Sequence, residues 1–291
     1  MPKNENQRRL GRWPAFATRL SCVLASLLLA GCFAIYSPAQ VPHEFSTSPI
    51  FEEEFDKPTL DLSKWSFRGL GKRDDCIVDP NAVSVANGVA RIRIYSVKTG
   101  DKLTNYCGAI STQSSFLHTY GYWQAAVRFG YQPGMQCSFW IQSPSIGRYI
   151  GDPARSGVEI DVFEHVSRET KPDGFDHAVH WDGYQPLLHK SMAKDGQYPS
   201  LDDGKFHVFS LAWTPQNLTF YIDGKESWTL SGSDAGISQI AEYIILDTEL
   251  PHADRGPAGG YGPLGATQNA YFDIDYVRVY PLKAAGQASS R

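Results

Sequence analysis

The chain of 291 residues is 42% hydrophobic and carries 26 glycines and 18 prolines, enough apolar material for one large core and a turn frequency that disfavours a helical fold. Its 27 Lys and Arg against 31 Asp and Glu leave no basic face for nucleic-acid phosphates. No fixed-period repeat is present, which excludes solenoids and propellers, and no Cys or His spacing fits a zinc site.

At the N-terminus, Lys3, Arg8, Arg9, Arg12 and Arg19 lead into an apolar run, residues 20–30. The run is too short to remain in a membrane as a spanning helix and is laid out like an export signal. It closes in Leu29-Ala30-Gly31-Cys32, which resembles the bacterial lipobox, where the chain is cut ahead of the cysteine and the thiol is lipidated. Residues 1–31 are therefore expected to be removed, Cys32 to carry lipid, and residues 32–49 to serve as a tether. Phe33 stands where an aspartate would retain the protein at the inner membrane. The expected location is thus the outer membrane, with the bilayer as a partner through the anchor. What remains carries 22 basic against 30 acidic side chains and is read as a monomer.

Strands begin near residue 50. Phe51-Glu52-Glu53-Glu54-Phe55-Asp56 reads as an edge strand, plugged by the aromatic ring of Trp65. Residues 82–86 and 89–95 alternate apolar and polar side chains around Asn87-Gly88, a strong hairpin signal. Residues 109–112, 120–129 and 134–141 are further strands, and a loop at 143–156 feeds the run 157–165. Residues 177–184, 206–215, 218–225, 243–246 and 271–280 follow, with a Gly-rich loop at 256–265 and a flexible tail at 283–291. Many short strands without an amphipathic helix predict an all-β fold, a two-sheet antiparallel sandwich. In an oxidising compartment Cys76 and Cys107, each just outside a predicted strand, are the expected disulfide, leaving Cys137 free.

One strand stands apart. Gly157-Val158-Glu159-Ile160-Asp161-Val162-Phe163-Glu164-His165 places three carboxylates in a β-branched, apolar run, where a core strand has no use for buried charge. With a period of two, Glu159 and Asp161 share a face and Glu164 points away from it. One extra residue at Val162 or Phe163, a β-bulge of the kind common beside active sites, returns Glu164 to the acidic face.

The spacing E-I-D-V-F-E resembles the catalytic strand of the family 16 glycoside hydrolases, which include laminarinases, mixed-linkage glucanases and agarases. Other stretches are similar to the family's motifs and in the same order. They include Tyr120-Gly121-Tyr122-Trp123-Gln124-Ala125-Ala126, Gly134-Met135-Gln136-Cys137-Ser138-Phe139-Trp140, His180-Trp181, Phe220-Tyr221-Ile222-Asp223-Gly224 and Asp275-Tyr276-Val277-Arg278-Val279-Tyr280. In the second of these Gln136 and Cys137 replace the family's tryptophan and proline.

The resemblance implies one domain at 50–282, a concanavalin-like jelly roll with a concave substrate cleft. Within it Glu159 is the implied nucleophile and Glu164 the acid/base, with Asp161 between them; retaining glycosidases hold two such carboxyl groups ~5 to 5.5 Å apart. Gln136, Phe139 and Trp140 are the implied cleft wall, and His180 and Trp181 the leaving-group side. No cofactor is implied for catalysis, and a structural calcium is implied at Asp275 and the backbone of Gly88. The implied activity is endo-acting cleavage of β-linkages in a polysaccharide, with β-1,3 or mixed-linkage glucan favoured and galactan as the alternative. A transglycosylase on the same scaffold and a non-catalytic carbohydrate-binding protein are the competing readings.

Overall fold

The computed structural model describes residues 40–166, 173–251 and 256–284. Cys32 and the export signal lie outside the described residues, as does most of the tail. In chain order the strands are β1 (Phe51–Glu53), β2 (Ser66–Phe67), β3 (Gly71–Arg73), β4 (Cys76–Val78), β5 (Val83–Ala86), β6 (Val89–Thr99), β7 (Lys102–Cys107), β8 (Ala109–Ser111) and β9 (Gly121–Gly130). They continue as β10 (Gln136–Gln142), β11 (Glu159–Val166), β12 (Gly174–Trp181), β13 (Lys190–Gln197), β14 (His207–Trp213), β15 (Asn217–Ile222), β16 (Lys225–Ser231), β17 (Tyr243–Glu249) and β18 (Ala270–Tyr280). The α-helical content among the described residues is one turn at Pro153–Ser156, capped by Asp152, whose side chain accepts from Arg155 N.

The strands form two sheets. One has seven strands in the order β13-β12-β11-β10-β17-β8-β2, and the other has eleven, with β16-β15-β14-β9-β18-β6-β7-β4-β3 as its path and β1 and β5 paired to β18 and β6. Pairing is antiparallel throughout except between β4 and β7. The acidic strand β11 lies inside the seven-stranded sheet, flanked by β10 and β12.

The alternation of each strand supplies the core. From the seven-stranded sheet Phe139, Ile141, Ile160, Val162, Phe163, Val179, Ile244 and Leu246 point inward, and they meet Trp123, Val127, Phe129, Phe209, Leu211 and Phe272 of the other. Phe163 of the acidic strand lies 4.2 Å, centroid to centroid, from Phe209, so β11 is fixed to the opposite sheet at its centre. Each such buried side chain contributes about 1.5 to 3 kcal/mol through water exclusion. Asn87 and Gly88 both adopt positive φ, 55° and 75°, as a two-residue hairpin with that pair requires.

Two ends of the domain are tied together. Phe45 is buried against Tyr122 and bridges to Leu282, and Lys283 N donates to Glu44 O. The last part of the segment expected as a tether is therefore packed on the domain from about Phe45. Cys76 and Cys107 are joined in a disulfide, at 5.9 Å between Cα atoms, on the parallel pair β4 and β7; Cys137 is buried and free.

Candidate active site

The chemistry of β11 depends on one unpaired residue. Against β10, Phe163 pairs with Phe139 and Asp161 with Trp140, so Val162 is skipped. Against β12, Asp161 pairs with Ala178 and Glu164 with Asp176, three steps on one strand against two on the other. The bulge sits at Val162. Val162 and Phe163 both turn into the core, each fully buried, and Glu159, Asp161 and Glu164 all line one cavity of about 290 Å³ on the outer face of the sheet.

Neighbouring strands furnish the walls by the same alternation. From β10, Ser138, Trp140 and Gln142 face the cavity, and from β17 Glu249 does. Gln136 Nε2 donates to Glu164 Oε1 at 2.7 Å. Gln142 Nε2 donates to Glu159 Oε2 at 2.8 Å, and the same oxygen accepts from the Tyr184 hydroxyl. Gln142 is itself held from behind, its Oε1 accepting from Tyr243 Oη at 2.7 Å and from Arg68 Nη2 at 2.9 Å. Tyr184 reaches over the cleft because Asp182 and Gly183 both take positive φ and end β12 in a sharp turn. Asp182 fixes that turn: its Oδ1 accepts from Gly151 N at 2.8 Å, and its Oδ2 forms an ion pair with Lys190 Nζ at 2.8 Å.

Asp161 lies between the glutamates. His180 Nε2 is 3.2 Å from its Oδ2, without the alignment of a hydrogen bond, and His180 Nδ1 is 2.9 Å from His189 Nε2. Burial pushes Asp161 well above the usual carboxylate range, and the charges of Glu159 and Glu249 add to it. Glu164 is pushed up to about 8, first by burial and then by Asp161, Glu249 and Glu159, with His180 opposing. A carboxyl group that keeps its proton near neutral pH beside a hydrogen-bonded carboxylate is the arrangement of an acid catalyst paired with a nucleophile.

Two of the expected site residues are corrected. Phe139 is 0% exposed and belongs to the core, because its position on β10 is the inward one. Trp181 likewise packs against the core, on the face opposite His180. Trp140 does face the cavity but is only 6% exposed; Arg68 lies over its ring at 4.9 Å and its Nε1 donates to Asp247 Oδ2 at 3.3 Å. Its indole is therefore no open stacking platform.

Among the described residues, one group of three side chains has the spacing of a metal site: Glu159, Asp161 and His180, with ligand atoms within 4.8 Å. It coincides with the acidic face itself. Asp275 stands at a register shift of β18, between Ile274 and Tyr276, and Gly88 in the hairpin turn.

A model of the glycosyl hydrolases family 16 matches residues 71–247, more than half of the chain. The chain belongs to glycoside hydrolase family 16. It is 24% identical over 263 residues to glucan endo-1,3-beta-glucosidase A1 of Niallia circulans, across 79% of this chain and 37% of that protein. It is also 24% identical over 255 residues to beta-porphyranase E of Zobellia galactanivorans, across 81% of this chain and 88% of that one. The chain thus spans little more than a third of the first relative and most of the second.

Among solved structures, the catalytic domain of a laminarinase from Thermotoga petrophila superposes with a TM-score of 0.64 at 21% identity, covering 82% of this chain and all of that one. Porphyranase B from Zobellia galactanivorans gives 0.61 at 17%, covering 83% and 98%. At these identities the likeness is one of fold, a jelly-roll β-sandwich, and the family is one of glycosidases.

Within this family 16 site, Gln142, Tyr184, Arg68, Arg73, Asp247 and Glu249 were not singled out in the sequence. Gln142 extends the period-two series of Gln136, Ser138 and Trp140 and was legible in principle. Arg73 pairs with Glu249, a contact across two sheets that no local pattern signals.

Proposed function

We propose that this family 16 glycosidase is a retaining, endo-acting enzyme that cuts β-linkages in a long polysaccharide. The observation that carries the reading is the bulge at Val162, which sets Glu159, Asp161 and Glu164 on one face. Glu164, held protonated by burial, gives its proton to the glycosidic oxygen as the bond breaks. Glu159 attacks the anomeric carbon and forms a glycosyl ester. Gln142 and Tyr184 both hold its Oε2, so the other oxygen is the one turned to attack. Glu164, now a carboxylate, takes a proton from the water that hydrolyses the ester. Asp161 buffers the charge between the two glutamates.

β-1,3 or mixed-linkage glucan is the favoured polymer. A galactan is the second reading, because Gln136 and Cys137 stand where the glucanase motif carries tryptophan and proline. A panel of neutral glucans and galactans, assayed for new reducing ends and by product size, tests both. Shorter chains support hydrolysis, longer or rearranged chains a transglycosylase, and an unaltered polymer the binding-only reading, which one relative named Gram-negative bacteria-binding protein 3, from Drosophila melanogaster, at 24% identity keeps in view.

The protein acts at the cell envelope, anchored to the outer membrane by lipid on Cys32. Membrane fractionation of wild type and Cys32→Ser tests this; a wild-type protein found soluble with a different N-terminus overturns it.

A further inference from the structure

His177 sits on β12 opposite the bulge, between Asp176, which pairs with Glu164, and Ala178, which pairs with Asp161. Its side chain turns away from the acidic face and is fully buried in the sandwich. There Nδ1 lies 2.6 Å from the carbonyl oxygen of Val162, the residue left without a partner by either neighbouring strand. A carbonyl only accepts, so the proton of this bond is on Nδ1.

At the other end of the ring Nε2 is 3.0 Å from Ser227 Oγ. Burial lowers the imidazole to about 4, with Lys194 acting the same way and the bond to Val162 opposing. The ring is thus neutral near pH 7, Nε2 is bare, and Ser227 donates to it. Ser227 is itself an extra residue, skipped where Phe220 pairs with Trp228 and Tyr221 with Glu226. One imidazole therefore joins the bulge of the catalytic strand to a bulge of the opposite sheet, and the ring of Phe220, 4.7 Å away, closes the remaining side.

We propose that His177 is a positioning residue of the active site: its Nδ1–H holds the Val162 carbonyl and so fixes the bulge that turns Glu164 toward Glu159. A buried carbonyl without a donor is unfavourable, and without this donor the strand relieves it by shifting its register. A shift of one residue sends Glu164 to the opposite face. The inference rests on the assignment of Glu159 and Glu164 as the reacting pair.

Two variants separate holding from filling. In His177→Asn the amide nitrogen falls near the place of Nδ1 and keeps the bond to Val162. In His177→Gln it falls near the place of Nε2 and keeps the reach to Ser227, while matching the ring better in length. The full-length variants are assayed on a polymer that the wild type cleaves, with melting temperatures and crystal structures alongside.

Asn is expected to keep kcat within a few-fold of wild type. Gln is expected to lose kcat on the order of a hundredfold at little-changed KM, the cost of misplacing a catalytic group by about 1 Å. Equal losses in both, a Gln variant as active as Asn, or a loss in KM alone overturns the proposal. The crystal structures decide it without activity: Glu164 off the acidic face in Gln but not in Asn supports it, and an unmoved bulge in Gln contradicts it. Failure of the catalytic assignment is read separately, from a Glu159→Gln or Glu164→Gln enzyme that retains full turnover.

Discussion

Gln136 Nε2 donates to Glu164 Oε1 at 2.7 Å, from the β10 position where the family motif carries a tryptophan. A donor to a carboxyl oxygen favours the charged form and so restrains a pKa that burial has raised to about 8. With Glu164 as the proposed acid, the basic limb of kcat/KM is expected near pH 8. In Gln136→Ala the restraint is gone, and that limb is expected to move to higher pH. A limb that stays in place or moves down shows that the amide does not set the acid.

Glu242 is a second buried carboxyl group, fully enclosed and pushed up to about 8 by burial, with Oε1 accepting from Val158 N at 3.1 Å and Oε2 unpartnered. Its folded pKa lies above its ordinary value of 4.5, so the folded state holds the proton more tightly than the unfolded chain. The stability linked to it is complete below about pH 4.5 and is lost as pH rises toward 8, by at most about 1.4 kcal/mol per unit. Glu242→Gln keeps an acceptor for Val158 and abolishes the titration. Denaturation curves should show the variant gaining on the wild type between pH 5 and 8; parallel pH profiles contradict this.

The bond from Cys76 to Cys107 spans a sequence separation of 31, for which loop closure contributes about 3 to 4 kcal/mol. Cys76→Ser is expected to lower Tm by about 10 °C. Both thiols reacting with an alkylating reagent without reductant shows that the bond is not formed.

We propose a structural calcium at Asp275 and the Gly88 backbone. Asp56 Oδ1 and Glu54 O lie near Gly88, 3.7 Å and 4.0 Å from where a Cβ on it would stand, and oxygen donors suit calcium. EDTA should lower Tm and added calcium restore it. An unchanged Tm together with metal-free elemental analysis removes the site.

The acidic face was legible because the strand breaks its own period: three carboxylates in E-I-D-V-F-E fit one face only with an inserted residue, and the register skips Val162. Phe139 and Trp140 were placed together in the cleft by motif, although adjacent strand residues cannot share a face. Tyr184 was out of reach because its position follows from the Asp182-Gly183 turn rather than from any alternation. Strand β13 carries no local sequence signal. Its sequence, Lys-Ser-Met-Ala-Lys-Asp-Gly-Gln, has no apolar period, and it is a strand because its backbone pairs with β12 along eight residues.

If Glu159 is the nucleophile and Glu164 the acid/base, chemical rescue tells the two carboxyl groups apart. With an activated glycoside and added azide, Glu164→Ala retains the nucleophile and should give a glycosyl azide of β configuration, since two inversions preserve the stereochemistry. Glu159→Ala should give the α azide by one direct displacement. The reverse pattern exchanges the two roles, and full unassisted activity in either variant contradicts the account.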